Sequence, residues 1–149
     1  VEVVPVSARN GMVVAGHPEA SAAGVAVLEA GGTAVDAAVA VALSLGVAEP
    51  YGSGLGGKLM LLYFEAATGR TFAIDAMDAA DDSLEVTAYL KRPAEDRTYG
   101  YGSVAVPGLA EGLWAAHRRW GRLPWADTVA PAIRLAREGF EVLPKTRDQ

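Results

Sequence analysis

No cysteine occurs in these 149 residues. Disulfides, thiolate-bound zinc and a cysteine nucleophile are therefore excluded, and the redox compartment cannot be read. Histidine is nearly as scarce: His17 and His117 stand alone in different segments, without the spacing of metal ligands. A basic excess is also missing. Thirteen Lys and Arg face eighteen Asp and Glu, for a net charge of −5, so there is no basic stripe for nucleic acid. The longest apolar run, Ala37 to Ala48, is too short to cross a bilayer and is broken by Ser44 and Gly46, which gives no membrane partner. The opening Val1-Glu-Val-Val-Pro5 has neither the basic start nor the apolar stretch of a signal peptide, and no initiator Met. A leader is expected to be absent, removed or numbered away. The compartment is unknown on these grounds, with the cytoplasm favoured over a secreted or periplasmic location.

What is present is a folded chain. It is 51% hydrophobic and 21% charged, with a length that fits one domain over residues 1–149 and allows a real core. Met12-Val-Val-Ala15 reads as a short buried strand. Pro18, behind His17, opens a helix that packs through Val25, Leu28 and its alanines, and Gly31-Gly32 stops it. Thr33 and Asp36 cap a second helix running to about Ala48, apolar on every face and so buried on several sides; Pro50 ends it. Leu59–Phe64 has the length and all-apolar pattern of a strand buried on both faces. Ala67-Thr-Gly69 turns it back along Thr71–Asp75 as a hairpin. Asp78–Asp96 is polar loop or short irregular helix, and two amphipathic helices follow at about Ala110–Trp120 and Trp125–Glu138, separated by Gly121 and Pro124.

The stretch Gly52-Ser-Gly-Leu-Gly-Gly-Lys-Leu59 imitates two nucleotide motifs. It fits G-x-x-x-x-G-K, and Gly52, Gly54 and Gly57 spell G-x-G-x-x-G. Both motifs need a strand before and a helix after, so that phosphate meets a helix N-terminus. Here the order is helix, glycines, strand, and Leu59 has no hydroxyl for magnesium. No nucleotide and no other cofactor is expected. The glycines serve either a tight, space-limited turn or a pocket wall of backbone amides.

Other candidates carry less. His17, at a helix start with no orienting partner in view, reads as a cap or surface residue rather than a general base. His117, beside Arg118 and Arg119, reads as part of a solvated helix face. Asp75, Asp78, Asp81 and Asp82 lack the tight alternation of a metal loop and read as solvated; no metal site is expected. None of the serines sits in a nucleophile elbow.

Four segments together resemble the γ-glutamyltransferase family, in the N-terminal part of its large subunit. They are "GMVVAGHPEAS" at Gly11–Ser21, "AGGTAVDAAVAVALSLGVAEP" at Ala30–Pro50, "VAVPGLAEGL" at Val104–Leu113 and "LPWADTVAPAIRLAREGFEVLP" at Leu123–Pro144. They cover almost the whole chain in order, and four weak motifs in register make a specific match. The resemblance implies an α/β (α+β) N-terminal-nucleophile hydrolase fold, an αββα sandwich of which this chain supplies part. It further implies a precursor that cuts itself into two chains. The nucleophile would be the N-terminal Thr of the small subunit, acting with its own α-amine on a small-molecule substrate. No catalytic residue is expected in this chain, since Val1 is no nucleophile and the match ends before the expected cleavage point.

The resemblance also places substrate contacts. Ser53, Gly54, Gly56 and Gly57 fall on the family's glycine-rich segment beside the active-site sheet, altered by Lys58 and Leu59 where further glycine and an aromatic are common. Asp75-Ala-Met-Asp78 falls where the family reads D-F-R-E or D-G-R-E, whose Arg holds the glutamyl α-carboxylate. Met77 takes that Arg's place, and Met77 and Asp78 are the expected substrate-binding residues. Losing a charged clamp typically costs ~2–5 kcal/mol, roughly 30- to several-thousand-fold in affinity. The leading expectation is therefore a family hydrolase retuned to a non-standard acyl substrate. Behind it stand a C–C or amide bond hydrolase of secondary metabolism, an ordinary γ-glutamyltransferase or glutathione hydrolase, and a non-catalytic relative.

Overall fold

The computed structural model describes residues 5–149; the reading of Val1–Val4 lies outside them. Two compact units arise, one from the segments up to Gly54 and from Ala115 onward, the other from Leu55–Trp114.

The first unit is helical. Helix α1, Pro18–Glu29, starts on Pro18 with His17 as its cap, Nδ1 accepting the Glu19 N–H at 3.2 Å. It stops where Gly31 takes φ +88, a left-handed conformation natural to glycine. Ala20, Ala23, Gly24 and Val27 form its buried face, whereas Val25 is 40% exposed; packing runs through the small residues. A Cβ on Gly24 would stand 2.6 Å from Val41 Cγ2 and 2.8 Å from Val13 Cγ1, so this glycine permits the close approach of α1 to the second helix.

That helix, α2, spans Ala34–Ala48 and opens with a complete Thr33/Asp36 capping box. Its buried residues include Val35, Asp36, Ala37, Val39, Ala40 and Ser44, more than one face, as its uniformly apolar sequence requires. It packs against both α1 and helix α7, Trp125–Glu138. Val27, Ala37 and Ala40 make a core cluster, with Leu28 and Leu123 against it. Pro50 ends α2 and begins a single turn, α3, at Pro50–Ser53.

The run Met12–Ala15 is not a strand. Its side chains alternate, with Val13 and Ala15 half-buried and Val14 83% exposed. No strand pairs with it among the described residues, and extended backbone without a ladder partner is not a strand.

The second unit holds the hairpin. Strands β1, Leu59–Glu65, and β2, Arg70–Ala76, pair antiparallel in the register Leu59↔Ala76, Leu61↔Ile74, Tyr63↔Phe72, Glu65↔Arg70. Gly69, at φ +67, closes the turn with its N–H on Glu65 O at 2.9 Å. The expectation that β1 is covered on both faces fails. Leu59, Leu61 and Tyr63 are half-buried, but Met60, Leu62 and Phe64 are 76%, 80% and 62% exposed. The alternation is that of a sheet with one face covered. Short helices α4, Val86–Leu90, and α5, Ala94–Thr98, follow with one 3-10 turn at Tyr101–Ser103. Helix α6, Leu109–Trp120, leads through Gly121 and Pro124 to α7, and α8 is a last turn at Pro144–Arg147.

Candidate functional site

The chain order around the glycines is helix α3, glycine loop, strand β1, the reverse of a phosphate loop. Ser53 and Gly54 close the first unit; Gly56 and Gly57 open the second. None of the loop glycines has positive φ. A Cβ on Gly54 would lie 3.2 Å from Pro50 O, while at Gly52 and Gly56 it would meet nothing within 4 Å. At those two positions no crowding from this chain calls for glycine, and the backbone stands open to approach.

Beyond the loop, β1 and β2 carry the expected substrate residues to one end of the hairpin. Asp75 Oδ1 accepts the Met77 N–H at 3.2 Å, bending the chain as it leaves β2. Two residues on, Ala79 pairs with Val106, their N–H groups donating to each other's carbonyls at 3.1 and 2.8 Å. The Val106-Pro-Gly108 motif now has a physical task. A Cβ on Gly108 would collide with the Ala76 carbonyl and stand 2.7 Å from Met77 O. One helical turn later, a Cβ on Gly112 would be 2.5 Å from Ala76 Cβ. The two glycines, spaced i, i+4 on one helix face, let the start of α6 lie directly on the backbone of β2. The Leu109 N–H reaches Gly57 O at 3.1 Å, which ties Gly57 to the same platform.

On this platform Met77 is 42% exposed. Lys58 Nζ lies 3.4 Å from Asp78 Oδ1, with the side chains 57% and 36% exposed. The structure thus brings Lys58, Met77 and Asp78 to one end of the hairpin. Asp81 is engaged locally: its Oδ1 accepts the Ser83 hydroxyl and, at 2.7 Å, the Ser83 N–H, which hold its carboxyl below the usual range. No group of three or more His, Asp or Glu able to hold a metal occurs among the described residues.

The fold keeps His17 as the helix cap that its position suggests and corrects His117. His17 is buried rather than superficial, and beside its capping bond its Nε2 meets Glu141 O at 3.2 Å. His117 is not on a solvated face. Its Nε2 lies 3.0 Å from Leu123 O and 3.4 Å from Asp36 Oδ1, and its ring meets Trp125 edge-on. The helix turns it inward, away from Arg118 and Arg119, because successive residues point about 100° apart.

Asp36 is the strongest electrostatic feature of the first unit. It is fully buried, and its carboxylate accepts the Thr33 N–H at 2.7 Å, the Thr33 hydroxyl at 3.1 Å, and the Arg122 N–H at 2.9 Å. Burial by itself raises its pKa, but the bonds from Thr33, Arg122 and Leu123 outweigh it and hold the carboxyl below the usual value. Sequence reasoning found the cap but missed the reach to 122–123. A lone carboxylate in an otherwise apolar helix was the available signal.

Residues 20–149 match the gamma-glutamyltranspeptidase family. Glutathione hydrolase 3 of Arabidopsis thaliana is 41% identical over 139 residues, covering 93% of this chain and 22% of that protein. The acylase ACY 1 proenzyme of Pseudomonas sp. (strain SE83) is 43% identical over 154 residues, covering 96% of this chain and 27% of that one. The crystal structure of Helicobacter pylori gamma-glutamyltranspeptidase superposes with a TM-score of 0.88 at 28% identity, over 97% of this chain and 42% of that chain. This chain belongs to the gamma-glutamyltranspeptidase family, and its fold is the α+β fold of the N-terminal-nucleophile hydrolases. It spans about a quarter of the length of these curated relatives.

No helix among the described residues is long and apolar enough to cross a membrane.

Proposed function

We propose that this chain is the N-terminal portion of the non-nucleophile chain of a self-processing acyl-transfer hydrolase, acting on an acyl donor other than the standard γ-glutamyl amide. Its partner is a small subunit whose N-terminal Thr attacks the donor carbonyl, with its own α-amine as base. The oxyanion intermediate collapses to an acyl-enzyme as the bond to the donor's leaving group breaks, the α-amine passing the Thr proton to that group, and water or an acceptor then cleaves the acyl-enzyme. No cofactor enters. The present chain contributes the rim of the acyl pocket, with Met77 and Asp78 from the exit of β2 and, in the same unit, Gly56 and Gly57.

The observation that carries the reading is the uncharged, half-exposed Met77 where the resemblance places a carboxylate-binding Arg. The uncovered apolar row Met60, Leu62 and Phe64 supports completion of this segment by another chain. The relatives named as glutathione hydrolase and as acylase bracket the chemistry. The Lys58–Asp78 pair favours a second reading, in which an amino-acid-ended donor is held by a cation outside position 77.

Intact mass and N-terminal sequencing of the full-length gene product test the first step. Two chains, the second beginning with Thr, are expected; one uncut chain refutes the hydrolase and leaves a packing or binding role. On the processed protein, a chromogenic γ-glutamyl anilide should turn over poorly, and Met77→Arg should raise that turnover about tenfold or more, as one restored charged contact is worth ~1.5–3 kcal/mol. Unchanged or lower turnover refutes the pocket assignment.

A further inference from the structure

We infer that the cavity of the second unit between helix α4 and the turn Tyr101–Ser103 binds an aromatic monocarboxylate, its carboxylate held by the fork of Arg92 and its ring packed on Tyr101. The site lies outside the residues assigned to acyl transfer and is independent of the hydrolase reading.

The cavity is built from one continuous stretch of chain. Residues Asp81–Glu85 lead into α4, Arg92 follows the helix, and the chain returns through Tyr101–Ser103 to Ala105. Ala80 and Ala105 line one end beside the Ala79–Val106 bridge, whose two hydrogen bonds pin that end. The cavity measures about 550 Å³, within the roughly 300–1,000 Å³ of small-molecule sites. Leu84, Ala88 and Val104 give its wall an apolar part, beside the rings of Tyr89 and Tyr101.

Arg92 is set in place before any ligand arrives. Its guanidinium carbon lies 5.7 Å from the centre of the Tyr89 ring. That ring is fixed by its hydroxyl, which donates to Arg97 O at 3.0 Å. A Cβ on Gly102 would stand 2.8 Å from Arg92 Nη1, so glycine leaves the guanidinium room against the turn. The Arg92 N–H donates to Tyr89 O at 3.0 Å and Arg92 O accepts from Arg97 Nε at 3.2 Å, so the backbone that carries the fork is held too. Among the described residues no carboxylate pairs with Arg92. A planar, permanently charged donor set is thus held in position and left open to a ligand.

Charge and shape select that ligand. The wall sets two carboxylates, Asp81 and Glu85, against one cation. Asp81 is turned to Ser83, whose N–H it accepts at 2.7 Å, and Glu85 stands at the start of α4 without capping it. A dianion such as a phosphate monoester would bring a second charge with no partner and like charges near it. A monocarboxylate is matched by one guanidinium through two parallel N–H···O bonds. Tyr101, fully exposed at the cavity, decides the remainder. Its ring adds nothing to the core, but it offers a flat apolar face on which another ring stacks.

The test is direct binding to the full-length protein by calorimetry, with naphthoate as probe beside naphthamide, naphthyl phosphate and cyclohexanecarboxylate. Naphthoate should saturate with a Kd of about 1 mM or tighter and bind at least tenfold better than each of the other three. Arg92→Gln should weaken naphthoate tenfold or more and leave naphthamide unchanged. Arg92→Lys, which keeps the charge and loses the fork, should recover only part of the loss. Tyr101→Ala should bring naphthoate down to the level of cyclohexanecarboxylate, and Gly102→Ala should weaken it severalfold by displacing the fork. Hydrogen exchange across Leu59–Ala76 should stay unchanged, since Arg92 and Tyr101 are exposed, and the parent protein's selectivity needs no variant. No saturation by about 10 mM naphthoate, naphthamide or naphthyl phosphate bound as well as naphthoate, or full affinity in Arg92→Gln would overturn the inference. Self-cleavage is read separately by intact mass, so either reading can fail alone.

Discussion

Replacing Asp36 by Asn changes one oxygen to an NH2 group and almost no volume, yet it strikes the most densely bonded side chain of the first unit. The carboxylate accepts the Thr33 N–H and hydroxyl, the Arg122 N–H on both oxygens and, at 3.4 Å, the Leu123 N–H. It is completely buried. Asn keeps one acceptor, but its NH2 must face N–H donors, leaving buried groups unpaired. Hydrogen bonds to a charged group contribute ~1.5–3 kcal/mol each and are not additive, and breaking a buried charged network costs about 3–5 kcal/mol. A local readout isolates the effect on this helix. Hydrogen exchange over peptides covering Ala34–Ala48 should lose protection by roughly 100- to 4,000-fold, the equivalent of that energy. The pH dependence follows from the lowered pKa of Asp36. The ionised carboxylate stabilises the fold fully above its unfolded pKa of about 3.9, and the contribution is lost as pH falls through the lower folded value. The difference between Asp36→Asn and the parent protein should therefore be widest near neutral pH and narrow below about pH 4. A gap under tenfold at pH 7, or one that persists unchanged into acid, would refute the assignment of Asp36 as the hub of this unit.

Two further substitutions address the site and the open sheet face. Gly108→Ala places a methyl against the Ala76 and Met77 carbonyls, which only a backbone shift relieves; overpacking of this kind costs typically 1–3 kcal/mol. Turnover by the processed protein should fall at least tenfold while two-chain processing persists, and wild-type turnover would show that this contact does not position Met77. Leu62→Glu puts a charge in the middle of the exposed apolar row. If another chain covers that row, burying Leu62 is worth ~1.5–3 kcal/mol and the carboxylate adds a desolvation cost, so gel filtration should show loss of the two-chain complex. A complex of unchanged size and yield would mean that the face is free.

Much of this protein was legible residue by residue. Pro18 and Gly31 bound α1, Thr33 and Asp36 start α2, Pro50 ends it, Gly69 turns the hairpin and Pro124 precedes α7. Each is a local signal, because caps and turns depend on groups within a few residues and on φ values that Gly and Pro prefer. The order helix, glycines, strand is likewise legible in the sequence and is the reverse of a phosphate loop. What lay beyond reach depended on distant residues. Met12–Ala15 lacks a partner strand among the described residues, and one face of β1 is uncovered, because an apolar run states that a strand wants burial and cannot state which chain supplies it. His117 points to Asp36 across 81 positions, and Asp36 itself binds a turn 86 residues on. Lys58 meets Asp78 only because the hairpin register returns the chain to its start. Local chemistry, carried by the sequence itself, determined where the helices and strands begin and end; tertiary folding alone decided which charges meet, since that follows from register and packing between segments far apart in the chain.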